Sequence, residues 1–315
     1  MTSKQREDWE FGLPTDGHMS SDEPKEDIIL GDAPFKYSVS GKNWGNLPEG
    51  WVYKEATAVD VDSNDNVYVF NRGTKPVIVF NPDGDVIETW GDGIFQNPHA
   101  ITIGPDGEVY CVDNGDSSVR KFNSKRELLF TLGTPGKEAP AMSGKPFAKP
   151  THVAIDKRTG EFYVADGYAN AVVHKYTPDG ELQFTWGESG TDPGQFNIVH
   201  NICVDDDGWV YIADRENHRI QIFDSNGKFE TQWVNMSRAA TITLDSGSGE
   251  QLLYVGEYFS GIGTNHMGTN LGPRVSIYNL KGELLSRVGK EPYGEQQGRF
   301  YSPHGIAVDS KGDIY

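Results

Sequence analysis

Three histidines stand in the same sequence setting and share one possible chemistry. His99, His200 and His304 each begin a short strand-like run, HAITI, HNICV and HGIAV, whereas His152 lies one position later in its own run. Three imidazoles that converge on one point can bind a zinc ion and leave its fourth position open for water or substrate. A hard cation such as calcium would require oxygen ligands instead. The three histidines therefore predict a transition-metal site.

Arginine and tyrosine side chains form a second candidate group. Arg72, Tyr168, Arg215 and Tyr258 closely follow an acidic or amide residue at the end of a strand-like run. An arginine can hold a substrate carboxylate through two hydrogen bonds. A tyrosine near a metal can exchange a proton with the substrate if its pKa falls. Salt bridges and aromatic packing between neighbouring sheets would explain the same residues, so both interpretations remain open.

Internal repetition is what would bring these residues together. Five copies and the start of a sixth contain short alternating strands separated by turn sequences such as PDG, SNG and KG. Repeats of four antiparallel strands around a channel are typical of a β-propeller. The predicted fold is an all-β, six-bladed propeller whose last blade is incomplete in this chain. The three histidines then fall on blades two, four and six, which lie about 120° apart in a six-fold ring.

The two ends of the chain suggest how this ring closes. Residues 33–315 are assigned to the propeller, and 33–45 are predicted to supply the outer strand of the closing blade. Because an unfinished blade would expose sheet edges, further inner strands are expected after Tyr315. Residues 1–32 contain nine acidic and three basic side chains and are predicted to form a flexible tail. The Gly- and Asn-rich insertion 261–273 is a candidate lid.

Charge and composition argue against several classes of partner. The 315-residue chain has a formal net charge of −18, so it is expected to repel nucleic acid and anionic membrane surfaces. No apolar run is long enough to span a membrane. The N-terminal residues lack the apolar segment of a secretory signal, and Cys111 and Cys203 are expected to be free thiols. A cytoplasmic location is therefore predicted.

The motifs also resemble a known family. The stretches VYVFNRG, NPHAITI, VADGYAN, DPGQFNIVHNI, ADRENHRIQIF and SPHGIAVD are similar to NHL-repeat proteins, and among them to the catalytic domain of peptidyl-α-hydroxyglycine α-amidating lyase. The resemblance implies zinc held by His99, His200 and His304. It also implies that Arg72 holds the substrate carboxylate and that Tyr168 is the base for the substrate hydroxyl. The family cleaves a carbinolamide into glyoxylate and an amide.

The resemblance extends to a structural calcium ion, but only in part. The family holds this ion through main-chain carbonyls at positions that correspond to Val59 and Ile101 here. Its acidic calcium ligand immediately follows the last histidine, and this chain has Gly305 at that position. The sequence therefore keeps the implied metal-binding histidines and lacks the acidic ligand of the calcium site.

Three functions remain open on these residues. The first is a metal-dependent lyase that cleaves a C–N bond of a hydroxylated, glycine-like amide, with Arg215 and Tyr258 as further substrate-binding candidates. The second is a metal-dependent hydrolase, similar to a lactonase, on the same histidines. The third is a non-catalytic NHL interaction scaffold, which gives no reason for histidine on alternate blades. The expected partner of either enzyme is a small molecule or a short peptide-like substrate.

Overall fold

The computed structural model describes residues 28–40, 44–245, 249–259, 268–294 and 296–315. The strands, numbered in chain order, begin with the antiparallel pair β1 (Ile29–Leu30) and β2 (Tyr37–Ser38). Five antiparallel four-stranded sheets follow as blades.

The first blade has β3 (Ala56–Val61), β4 (Val67–Asn71), β5 (Val77–Phe80) and β6 (Val86–Trp90). The second has β7 (Pro98–Ile103), β8 (Val109–Asp113), β9 (Ser118–Phe122) and β10 (Leu128–Leu132). The third has β11 (His152–Ile155), β12 (Phe162–Asp166), β13 (Val172–Tyr176) and β14 (Leu182–Trp186), followed by the short parallel pair β15 (Glu188–Ser189) and β16 (Gln195–Phe196). The fourth has β17 (Val199–Val204), β18 (Val210–Asp214), β19 (Arg219–Phe223) and β20 (Phe229–Trp233). The fifth has β21 (Arg238–Leu244), β22 (Leu252–Tyr258), β23 (Arg274–Asn279) and β24 (Leu284–Val288).

The turn between the third and fourth strands of a blade shows why the repeat folds in this way. In the first blade, the Asn81 side-chain oxygen accepts a hydrogen bond from the amide of Asp85 at 2.8 Å. Gly84 adopts a left-handed φ of 88° and donates to the Asn81 carbonyl at 2.9 Å. Asx side chains and left-handed glycines are suited to such tight turns. The repeated turn sequences therefore set where each strand ends.

Aromatic side chains pack one blade against the next. Trp186 at the end of β14 lies 6.0 Å from Phe223 of the fourth blade, measured between ring centroids. Trp233 at the end of β20 lies 5.7 Å from Tyr278 of the fifth blade in the same manner. Aromatic pairs of this kind contribute about 0.5–1.5 kcal/mol beyond the burial of their area. The equivalent positions of the two tryptophans give successive blades a repeated contact.

The last described residues begin a sixth blade between the fifth and the first. Val308 forms an antiparallel bridge with Ile314, and Ala307 exchanges two main-chain hydrogen bonds with Tyr315. The Tyr315 ring lies 4.8 Å from the ring of Trp44. Five complete blades and one hairpin of a sixth confirm the predicted propeller class.

The N-terminal segment packs beside this closing hairpin. Leu30 and Tyr37 join the apolar cluster that contains Val308 and the fifth-blade residue Ile277. Residues 1–27 of the predicted tail lie outside the described residues, while β1 falls within the range assigned to it. The proposed role of residues 33–45 as the outer strand of the closing blade stays a prediction.

Two further sequence predictions concern loops and membrane spans. Residues 261–267 of the candidate lid lie outside the described residues. Among the residues that are described, no helix has the length and apolar character needed to cross a bilayer.

Cys111 and Cys203 are both free, as predicted from the strand-like runs that contain them.

Candidate metal centre and active site

The three predicted histidines meet at the propeller axis. The ring of His304 lies 4.8 Å from the rings of both His99 and His200, which are 5.3 Å apart, measured between centroids. One nitrogen from each ring can be chosen so that the three atoms lie within 4.8 Å of one another. His99 and His200 are only 2% and 1% exposed. Three imidazole nitrogens at this spacing form a donor set suited to a transition metal such as zinc.

Each histidine is oriented by the blade that follows it in the ring. The Nδ1 atom of His99 faces the main-chain carbonyl of Thr151 at 2.7 Å, and that of His304 faces the carbonyl of Thr57 at 2.6 Å. His200 makes the same contact with the carbonyl of Ala240. A carbonyl can only accept, so each Nδ1 must carry a hydrogen and each Nε2 must present its lone pair. Such outer contacts fix the tautomer of metal-binding histidines.

Burial keeps these imidazoles neutral. Desolvation lowers the pKa of His99 well below its usual value, and His304 adds to this effect. Desolvation, together with the charge of Arg215, does the same for the pKa of His200. The pKa of His304 falls to about 4, again chiefly through burial. Because a metal binds the unprotonated imidazole, all three rings are in the ligating form at neutral pH.

The Tyr168 hydroxyl lies beside two of the histidines, and its contacts indicate whether a cation fits there. Its hydroxyl lies 3.0 Å from Nε2 of His99 and 2.9 Å from Nε2 of His200. The hydroxyl has a single hydrogen and cannot donate to both lone pairs at once. One nitrogen lone pair therefore faces an oxygen lone pair in a buried site. A cation bound by the imidazoles would remove this unfavourable contact, so the residues present fit a metal.

The channel beneath the histidines is a poor match for calcium. Its cavity has a volume of about 10 Å³, and its described lining includes Val59 but neither aspartate nor glutamate. A Cβ atom at Gly305 would lie 2.7 Å from Cα of Ala58, so the main chains of the closing and first blades leave no room for a side chain. An acidic residue would not fit at this position. The calcium site expected from Val59 and Ile101 therefore lacks its acidic ligand, and Ile101 is not among the residues that line this cavity in the described structure.

Two further polar side chains line the same cavity: His152, which the sequence analysis set aside, and Asn201, which it did not single out. Nδ1 of His152 and the side-chain oxygen of Asn201 are buried without a hydrogen-bond partner in the described structure. Burial lowers the pKa of His152 to about 4. Each residue directly follows the aligned inner-strand position of its blade, which is the signal that could have identified them.

An arginine lies between two tyrosines beside the histidines. The guanidinium carbon of Arg215 is 5.6 Å from the centre of the Tyr168 ring and 5.8 Å from that of the Tyr258 ring. Glu216 accepts hydrogen bonds from Arg215 at 2.8 Å and from Arg238 at 2.6 Å. The structure thus brings together three residues that the sequence singled out. It adds Glu216 and Arg238 as the groups that hold Arg215 in place.

Arg72 reaches the same region from the first blade. Its Nε atom donates to the carbonyl of Pro98 at 3.2 Å, immediately before His99. Its NH1 atom is paired with Glu55 at 2.5 Å, and the Arg72 side chain is 26% exposed. The charge of Arg72 lowers the pKa of both His99 and His304. A partly exposed guanidinium beside the histidines can reach a bound carboxylate.

The acidic residues at the ends of the second strands bind main-chain amides. Asp113 accepts hydrogen bonds from the amides of Gln96 and Asn97, which precede β7. Asp214 and Glu257 are both fully buried and accept from the amides that precede β17 and β21. These buried carboxylates attach the second strand of a blade to the segment that leads into its inner strand. They position the site and do not face the channel.

Gly167 controls the distance between Tyr168 and the fourth blade. A Cβ atom here would lie 1.9 Å from the carbonyl oxygen of Val199, which precedes His200. We expect Gly167→Ala to reduce the free energy of unfolding by about 1–3 kcal/mol, the usual cost of overpacking. Urea denaturation measures this loss. The matched control is Gly249→Ala, where no atom of the described residues lies within 4 Å of the new Cβ; equal effects in both variants would contradict the prediction.

Sequence comparisons place the chain near one group of proteins. A family model described as NHL repeat matches residues 196–223. The chain is 31% identical to peptidyl-glycine alpha-amidating monooxygenase B of Xenopus laevis, over 81% of this chain and 30% of that protein. It is 31% identical to peptidyl-alpha-hydroxyglycine alpha-amidating lyase 1 of Drosophila melanogaster, over 82% of this chain and 54% of that protein.

A further relative has a name that states no enzymatic activity. NHL repeat-containing protein 3 of Mus musculus is 35% identical over 56% of this chain and 54% of that protein. The chain thus spans between 30% and 54% of the length of these curated relatives. Whatever the whole relatives do is therefore not carried over directly to this chain.

Solved structures agree on the fold. A streptogramin B lyase structure matches 86% of this chain and 92% of its own, with a TM-score of 0.55 and 11% identity. A chain from a nidogen/laminin complex matches 82% of this chain and 91% of its own, with a TM-score of 0.57 and 13% identity. At these identities the likeness shows the fold alone.

Proposed function

Because this chain is an NHL-repeat β-propeller similar to the amidating lyases, we propose that it is a metal-dependent lyase. The proposed reaction cleaves the C–N bond of a hydroxylated, glycine-like amide and releases an aldehyde acid and an amide. The observation that carries the proposal is the convergence of three neutral histidines, each turned toward the axis by a carbonyl of the next blade. A purely structural ring of blades requires no such arrangement.

The arginines would select and orient the substrate. A carboxylate at the mouth would be held by Arg72, which is partly exposed. Arg215 lies between Tyr168 and Tyr258, where it would add a second positive charge. A planar guanidinium can bind a carboxylate through two hydrogen bonds and so fix its orientation. This arrangement favours a small or short peptide-like substrate with an acidic end.

Tyr168 is the proposed base. Burial raises the pKa of Tyr168, the positive charges of Arg215 and Arg72 act in the opposite direction, and a cation held by the adjacent histidines would lower it further. A divalent metal, with zinc as the first candidate, would be held by His99, His200 and His304 and would supply a Lewis acid that acidifies the substrate hydroxyl. The phenolate would accept the hydroxyl proton as the carbonyl forms and the C–N bond breaks. The departing amide nitrogen takes up one proton, so no water is consumed.

A direct assay tests the lyase. The metal-loaded chain is incubated with α-hydroxyhippurate, and glyoxylate and benzamide are measured over time. We expect equal amounts of the two products, formed in proportion to the amount of protein. Failure to form glyoxylate from a chain that holds metal would contradict the proposal.

A hydrolase on the same histidines is the second candidate. It is favoured by the two polar atoms of His152 and Asn201 that lack partners in the channel, because a reactive water needs hydrogen-bond partners. Hydrolysis of a lactone in the absence of glyoxylate release would support it. The third function, a non-catalytic scaffold, is supported by neither the histidines nor these orphaned atoms.

A further inference from the structure

A second polar pocket lies between the fourth and fifth blades, away from the channel axis. It has a volume of about 340 Å³ and is open to solvent. Its walls are formed by His218, residues 234–237, Asn270, Leu271, Arg274 and Arg287. None of these residues belongs to the candidate active site.

Hydrogen-bond donors without partners are concentrated in this pocket. In the described structure, nine buried side-chain polar atoms lack a partner, and three of them belong to lining residues. These are Nε of Arg274, Nε of Arg287 and the hydroxyl of Ser237. Buried donors are normally paired, because leaving one unpaired costs free energy. The three atoms are covered in the structure but belong to side chains that line one pocket, so a small rotation of these side chains would offer the donors to a ligand that accepts hydrogen bonds.

The pocket also has an uncompensated positive charge. Arg274 is paired with the carboxylate of Glu257 at 2.9 Å. Arg287 instead donates to the neutral Asn235, at 3.2 Å to its carbonyl and 3.3 Å to its side-chain oxygen. No carboxylate within salt-bridge distance of Arg287 is found in the described part of the chain. An anion would meet both the charge and the unpaired N–H groups.

Apolar side chains form the rest of the wall. Val234 is 64% exposed and Leu271 is 44% exposed, and Met236 lines the same space. Apolar surface of this kind favours contact with an apolar group over contact with water. The pocket therefore combines anion-binding donors with a surface for a hydrocarbon chain.

We propose that this pocket binds an organic carboxylate that carries an apolar chain. The carboxylate oxygens accept from Arg287, from Nε of Arg274 and from the Ser237 hydroxyl, and the chain lies against Val234 and Leu271. The proposal does not depend on the reaction at the channel.

The pocket is nonetheless a neighbour of the channel mouth. Ser237 directly precedes Arg238, whose guanidinium carbon lies 5.6 Å from the centre of the Tyr258 ring. Arg274 pairs with Glu257, which directly precedes Tyr258. Two residues that would contact a carboxylate in the pocket, Ser237 and Arg274, are therefore each one step removed from a side chain at the channel mouth.

Calorimetric titration of the full chain with hexanoate, in a buffer free of phosphate and other carboxylates, tests the proposal. We expect saturable binding that weakens at least tenfold in Arg287→Gln and several-fold in Ser237→Ala, with acetate binding more weakly than hexanoate. The charge-matched control is Arg158→Gln in the third blade, an exposed arginine paired with Asp156. Hexanoate affinity in this control should equal that of the wild type.

One further variant separates the pocket from the channel, where a carboxylate could also bind. In Arg72→Gln, the hexanoate binding that depends on Arg287 should persist. The proposal is overturned if Arg72→Gln abolishes hexanoate binding while Arg287→Gln leaves it intact, or if the wild type does not bind hexanoate. Thermal denaturation of each variant verifies folding, and Ser237→Ala provides the result if Arg287→Gln does not fold. Lyase activity is not a readout, so either proposal can fail without the other.

Discussion

His200→Ala is expected to leave the chain folded but unable to retain a transition metal. The substitution removes one of three nitrogen donors that can be chosen within 4.8 Å of one another. Changes to the outer contacts of metal-binding histidines alone cost about 10–100-fold in affinity, so loss of a ligand should cost more than about 100-fold. The metal content after dialysis should fall from about one per chain to less than about one-tenth. Elemental analysis of the purified proteins measures it.

A matched control is available because the chain has histidines outside the centre. His218 has a left-handed φ of 53° at the end of the short 3-10 helix Arg215–Asn217. His218→Asn removes one imidazole while keeping a residue that tolerates this conformation. Its metal content should equal that of the wild type. If His200→Ala retains metal as well as His218→Asn does, the three-histidine site is wrong.

The same centre shows what could be predicted from the sequence. His99, His200 and His304 were found because inner strands of equal geometry place equivalent positions at equal distances from the axis. Counting back from a recognisable turn then identifies the axial residue. The repeated pattern of strands and turns made the propeller predictable for the same reason.

The orientation of the histidines could not be predicted in this way. It depends on the carbonyls of Thr57, Thr151 and Ala240, and a main-chain carbonyl is present at every position of the sequence. Only packing of one blade against the next determines which carbonyl faces an imidazole. The aligned positions of the odd blades hold threonine or alanine, and only the structure shows that the carbonyls of these residues orient the histidines.

Close approaches of the main chain were equally hidden. Gly167 and Gly305 allow neighbouring blades to approach so closely that an added Cβ would lie 1.9 Å and 2.7 Å from main-chain atoms. Nothing in their sequence setting separates them from the chain's other glycines, many of which serve turns. The difference at the calcium position was visible in the sequence as Gly305, but the close approach of the main chains there was not.

Tyr168→Phe should abolish most lyase turnover while leaving the metal in place. The variant keeps the ring that packs near Arg215 and removes only the hydroxyl that lies 2.9 Å from His200 and 3.0 Å from His99. Proton transfer by a positioned side chain contributes about 10²–10⁴-fold to a rate. We therefore expect kcat to fall by about that factor, with KM changed much less because Arg72 and Arg215 still hold the carboxylate. Steady-state kinetics of glyoxylate release, with metal content measured on the same sample, provide both numbers.

Tyr258→Phe is the control, because it removes a second tyrosine hydroxyl near Arg215 that is not the proposed base. Both tyrosines lie near Arg215, and burial raises the pKa of both, to about 12 for Tyr258. Its ring lies 6.3 Å from that of His304, and its hydroxyl interacts with Ser302. Removing that hydroxyl should lower kcat by less than about tenfold, because it interacts with Ser302, whereas the Tyr168 hydroxyl lies beside the nitrogens of His99 and His200. Comparable losses of kcat in the two variants would assign both tyrosines to substrate positioning, and the base would have to lie elsewhere.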